Sequence, residues 1–166
     1  MKTSNLYNQE SKDKIKNIVE DIDFAMLATK LGSIPFFAIP MSTKKVDNEG
    51  NIWFLSGRDS EHNQHIHNDK RIQLIYSKPS DHTYMILYGG ASIVTDHTVL
   101  KELYSASDDN WFDGVDDPNL SAIKFSPIEA HCWEPKHNKL VTMFKMGVGM
   151  ITGEQPEIGK ETHLKI

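Results

Sequence analysis

Cysteine occurs once in the 166-residue chain, at Cys132. One thiol closes no intramolecular disulfide, so the expected setting is a reducing compartment. Long apolar runs are missing. Nothing approaches the roughly 20 residues of a membrane span, and the opening MKTSNLYNQESKDK lacks the apolar stretch of a secretory signal. Excess positive charge is missing too: 18 Lys and Arg face 23 Asp and Glu, a formal charge of −5. That balance argues against a whole-surface attraction to nucleic acid or to anionic membranes. There is no repeat, no low-complexity tract and no GxSxG, P-loop, GxGxxG or HExxH signature. What remains is 39% hydrophobic and 25% charged, a globular mixture with enough large apolar side chains for a core. The length suits one domain over 1–166, expected to be soluble and cytoplasmic.

Periodicity supplies the elements. Ser11 is placed to cap a helix from Lys12 to Asp21, in which Ile15, Ile18, Val19 and Ile22 form one buried stripe. FAMLAT (Phe24–Thr29) reads as a buried strand. IPFFAIPMST (Ile34–Thr43) reads as an extended segment pushed toward an edge by Pro35 and Pro40. Asp47 to Gly50 signals a hairpin into the strand NIWFLS. Asp59 or Ser60 then caps a short polar helix, and RIQLIYS alternates as a half-buried strand does. Thr83 to Val94 is a long strand in which Gly89-Gly90 marks a bulge or bend. Asp96 caps a helix near Thr98 to Tyr104. Two last strands, Ala122–Phe125 and Ala130–Glu134, are divided by Ser126-Pro127. The stretch LVTMFKMGVGMITG is compatible with an apolar helix. About six short strands and few helices indicate a mainly β, α+β architecture: an antiparallel barrel or sheet with flanking helices.

Local chemistry is sparse. The unit NIWFLSGRDSEHNQHI delivers a strand to a capped helix whose first N–H groups lack intrahelical partners, the geometry of a phosphate site. Ser56, Ser60 and Arg58 would add donors and a cation, although an ordinary satisfied cap has the same pattern. His62, His65 and His67 are near one another, but without a cysteine pair or HExxH they read as a solvated helix face, and no metal is expected. Cys132, between His131 and Trp133 on a strand, points away from its neighbours and reads as a packed structural thiol. Asp108-Asp109 and Asp116-Asp117 read as turn chemistry. No catalytic acid or base stands out.

In order and spacing, the segments FAMLAT, IPMSTK, NIWFLSGRDS, YMILYGGASIV, WFDGVDDPNL, FSPIEAHCWE and MFKMGVGMITGEQPEIGKETHLKI resemble the pyridoxamine 5′-phosphate oxidase-like superfamily of FMN-binding split barrels. Within it they are most similar to the general stress protein branch. The resemblance implies a six-stranded antiparallel split β-barrel, with an N-terminal helix over 1–22 and a C-terminal extension over 136–166. It also implies a homodimer with FMN in a cleft between subunits. Ile39, Met41 and Ser42 would then run beside the flavin, continued by Leu55 and Ser56. Arg58, Ser60, Glu61 and His62 would form the phosphate turn, with Tyr84 and Trp133 near the ring. Lys44 matches a substrate-phosphate lysine of the oxidase. Two departures stand out: the family has an arginine at the position of Ile39 and a lysine at that of His62. Each lost cation removes a charge-assisted hydrogen bond worth about 1.5–3 kcal/mol. Three functions follow: an FMN-dependent oxidoreductase acting on a small molecule, a flavin-binding module without turnover, or a dimer that has lost its cofactor. Pyridoxamine phosphate oxidase activity is not expected, because that enzyme's substrate-holding C-terminal end is not evident.

Overall fold

Nine strands and three α-helices make up the computed structural model, which describes residues 2–7, 9–135 and 159–165. In chain order they are β1 (Lys2–Tyr7), α1 (Gln9–Ile22), β2 (Phe24–Thr29), β3 (Phe37–Ser42), β4 (Lys45–Val46), β5 (Ile52–Gly57), α2 (Glu61–Asn68), β6 (Arg71–Lys78), β7 (Thr83–Val94), α3 (His97–Leu103), β8 (Leu120–Pro135) and β9 (Gly159–Lys165). The sheet runs β3-β2-β6-β7-β8 and forks there, β5 and β4 following one half of β8, β9 and β1 the other. All pairings are antiparallel except β1 with β9. The six strands β2, β3 and β5 to β8 form the split barrel, and the other three extend it.

Alternation decides which side chains fill the barrel. On β5, Ile52, Phe54 and Ser56 are buried; on β6, Ile72, Leu74 and Tyr76; on β7, Met85 and Leu87. Each such Leu, Ile or Phe contributes about 1.5–3 kcal/mol by leaving water. The α1 stripe of Ile15, Ile18 and Val19 packs on the same core. A smaller cluster joins Leu100 and Leu103 of α3 to Leu120 and Ala122, with Trp53 and Leu55 against it.

The structure corrects the sequence reading in four places. Ser11 is not a cap: the helix begins at Gln9, and Ser11 lies buried four residues before Ile15 on the inward stripe. Residues 2–7 are not part of that helix but form β1, paired in parallel with β9. Ser126-Pro127 does not end a strand; β8 runs unbroken for 16 residues. Its register shifts between Tyr88 and Gly89, leaving Ile128 as the extra residue, so the proline falls where the ladder is already interrupted. The polar helix α2 is not simply solvated, since Asn63, His65 and Ile66 are buried. The apolar helix read over 140–153 lies outside the described residues.

Other expectations are met. Ser60 and Asp96 are N-caps, accepting from the Asn63 and Val99 N–H groups. Asp47 accepts from Glu49 and Asn51 to shape the hairpin. No helix among the described residues is long and apolar enough to cross a membrane.

Candidate functional site: the split and the start of α2

The split lies between β3 and β5. β3 pairs with β2 on one side, and among the described residues no strand pairs with its other edge. The opening is pinned at one end, where the Lys44 N–H donates to the Trp53 carbonyl at 2.8 Å and β4 pairs with β5. Ile39 and Met41 turn inward against the main core, while Pro40 and Ser42 are exposed. What β3 offers at the split is therefore its backbone edge, with the Ser42 hydroxyl as a polar outpost. On the facing strand Leu55 packs in the smaller core. Ser56 is buried, its hydroxyl donating to Asn63 Oδ1 at 3.0 Å and sharing a 3.0 Å bond with Ser121. It shapes the wall rather than presenting a donor.

The other end of the split meets α2. The Phe37 ring stands edge-on to the His65 imidazole, centroids 5.1 Å apart. His65 is also fixed by Thr29 Oγ1 at 2.9 Å and lies 3.4 Å from Glu61. Asn63 closes the turn, donating to the Gly57 carbonyl at 2.8 Å and to Ser121 at 3.0 Å. These two buried residues hold α2 against β2 and β5, and their local sequence gave no hint of it. At the helix start Ser60 Oγ lies 3.1 Å from His62 Nε2. Burial, reinforced by neighbouring His65 and opposed by Glu61, pulls the His62 pKa below the ordinary imidazole range. Glu61 is exposed and lies 4.0 Å from Lys30. Arg58 donates through Nε to the Leu120 carbonyl at 2.9 Å. It also lines a cavity of about 460 Å³ with Asn63, Gln64, His67, Asn68, Ile93 and Thr95.

Lys44 stands apart from this arrangement. Its ammonium sits 2.7 Å from Asp108 and donates to Ser105 at 3.0 Å. Burial pushes Asp108 up, but hydrogen bonds from Lys44 and Ser105 outweigh it and hold the carboxyl below its usual value. Lys45 is likewise 3.6 Å from Glu102. The acidic loop residues are turn chemistry, as read: Asp108 completes a capping box with Ser105, and Asp117 accepts from the Asp113 and Asn119 N–H groups. Asp108 adds the Lys44 pair, which the sequence did not disclose.

Tyr84 and Trp133 are register partners on the outer face of β7 and β8. In one chain β2 and β6 separate them from β3, so they do not line its split. Cys132, between them and the core, is fully buried and its thiol is pushed up to about 12 by burial, inert as expected.

This arrangement is that of a known class. Residues 10–157 match the family model described as pyridoxamine 5′-phosphate oxidase like, and the chain belongs to that family. Solved structures share its fold. A putative general stress protein 26 from Jannaschia sp. CCS1 is 24% identical, with a TM-score of 0.79 over 96% of this chain and 100% of that one. The general stress FMN/FAD binding protein of Xanthomonas citri is 21% identical, with a TM-score of 0.65 over 76% of this chain and 90% of its own. General stress protein 26 of Bacillus anthracis is 23% identical, with a TM-score of 0.64 over 73% and 92%. No curated relative matches this chain.

Proposed function

We propose that the protein is a cytoplasmic flavin-binding split barrel that holds FMN between two copies of the chain and exchanges electrons with a small molecule. The observation that carries this reading is the unpaired β3 edge opening beside the capped start of α2, in a chain of this family. The similar Xanthomonas citri protein, described as FMN/FAD binding, supports it. The donor set fits the cofactor. Backbone groups of Ile39 to Ser42 suit a ribityl chain and ring edge. The Glu61 and His62 N–H groups, the Ser60 hydroxyl and the Arg58 guanidinium suit a phosphate. Bound flavin would supply the redox chemistry, and the chain supplies position and electrostatics. Because Tyr84 and Trp133 lie away from their own chain's split, they would cover the ring bound by the second copy.

One observation favours a weaker, exchangeable complex. Lys30, Lys44 and Lys45 each face a carboxylate and burial lowers the His62 pKa, which leaves Arg58 as the phosphate turn's principal cation among the described residues. A flavin-sequestering module without turnover is the second reading.

The test is the visible spectrum of the purified chain after incubation with FMN and desalting. One retained flavin per chain is expected, and Arg58→Ala should lower affinity about tenfold or more, the loss of one charge-assisted hydrogen bond. His62→Lys should raise affinity by a similar factor. A chain that retains no FMN, as wild type and as His62→Lys, overturns the proposal.

A further inference from the structure

β9 brings a second cluster together on the outer face of β8, using none of the groups placed against the flavin phosphate or ribityl chain, although the His131 ring also stacks on Trp133 with centroids 6.1 Å apart. Glu129 and His131 are two residues apart on β8 and so share its outer face. His163 of β9 is the direct register partner of His131. The two imidazoles stack with centroids 4.1 Å apart and planes 24° from parallel. Both turn Nε2 toward one carboxylate oxygen: Glu129 Oε1 is 3.3 Å from His131 and 2.5 Å from His163. All three ligand atoms lie within 4.8 Å of one another, and all three residues are half-buried.

We propose that Glu129, His131 and His163 bind a divalent transition-metal ion of the zinc class. Two imidazole nitrogens and a carboxylate are a ligand set that zinc accepts with a further position open to water. Bonds of about 2.0–2.1 Å place tetrahedral ligand atoms about 3.3 Å apart, so the cluster needs only small side-chain rotations to close on an ion. Converging on one face leaves the opposite side of the metal open, as in two-histidine, one-carboxylate sites. All three ligands sit on paired strands and not on loops. Glu129 and His131 are close in sequence, but His163 joins them only through the pairing of β8 with β9, so no spacing motif announces the three. Among the described residues no other trio of His, Cys, Asp or Glu converges this way.

The test uses the untagged chain titrated with Co²⁺ and Zn²⁺. One ion per chain is expected, with the visible Co²⁺ band of a low-symmetry nitrogen and oxygen site and displacement by Zn²⁺. His131→Gln, His163→Gln and Glu129→Gln should each weaken binding by more than about 100-fold, beyond the 10–100-fold cost of losing an outer partner. The exposed control His97→Gln should not change it. Should the variants fold poorly, the wild-type chain decides: Zn²⁺ should protect His131 and His163, but not His97, from diethyl pyrocarbonate, read by peptide mass. Absence of saturable binding, binding that survives all three substitutions, or equal protection of His97 overturns the site.

Discussion

At the residue scale the proposed phosphate turn hinges on His62. A lysine there would be charged at any physiological pH; this imidazole is half-buried and its pKa is lowered by burial and by His65. The sign follows. A histidine whose folded pKa lies below its unfolded value contributes stability above about pH 6.5, and that contribution is lost as pH falls through the folded pKa. A bound phosphate dianion reverses the preference by favouring the imidazolium. FMN affinity should therefore be flat above about pH 7 and rise by about tenfold as the imidazole takes its proton below about 6.5. Fluorescence titration of FMN across that range checks it. The phosphate takes its own proton near pH 6, so the comparison that counts is with His62→Gln, in which the rise should vanish. Wild-type and variant curves of the same shape would remove His62 as the phosphate partner. Lys44 shows the opposite outcome of one side chain's surroundings. The resemblance offered it to a substrate phosphate, but Asp108 and Ser105 already occupy its ammonium.

At the element scale the decisive feature is the bulge where β8 changes partners. Residues Leu120 to Phe125 pair with β5 and Glu129 to Pro135 pair with β9, while β7 pairs along the other edge from Ala122 to Trp133. The two halves need different directions, and the extra residue at Ile128 supplies the bend. Gly89 sits in the crease: a Cβ there would lie 2.2 Å from the Ser126 carbonyl oxygen and 2.9 Å from the Phe125 ring. Gly90 has open space. Gly89→Ala should therefore cost about 1–3 kcal/mol, and Gly90→Ala should stay within about 0.5 kcal/mol, measured by urea unfolding. Equal effects would mean the crease is not where the strand is constrained. The bulge was legible because paired glycines in a strand have few other uses. The unity of β8 was not, because Pro127 reads as a terminator unless the ladder around it is known. β1 and β9 left no local signal, since each forms against a partner at the other end of the sequence. In α2 the letters EHNQHIHN look solvated; His65 and Asn63 are buried by Thr29, Phe37, Ser56 and Ser121, each on a different strand. The open β3 edge was legible through its prolines, the metal trio not at all.

At the scale of the whole molecule the outer face of the sheet asks for a cover. Antiparallel sheets with one wet face carry polar residues there. Here the register aligns Pro40, Met26, Ile75 and Ile86 in one row, which runs on into His131 and His163, and places Tyr84 beside Trp133 in the next. Phe24 is 61% exposed, Met26 40% and Tyr84 38%. A contiguous apolar patch of this kind marks an interaction surface. The second copy proposed above suits it, because the aromatics on this face are the ones a flavin in the other chain's split would need. In a two-fold interface the patch meets itself, so a charge placed at its centre faces its own copy. The wild-type chain should run at twice its monomer mass in light scattering, and Ile86→Glu should run at the monomer mass with an unchanged far-ultraviolet spectrum. The monomeric variant should also fail to retain FMN, although its own β3 edge and α2 start are untouched. A wild-type monomer would sink the shared cleft. An Ile86→Glu monomer that still holds flavin at wild-type affinity would confine the cofactor to one chain's split and leave Tyr84 and Trp133 without a part in it.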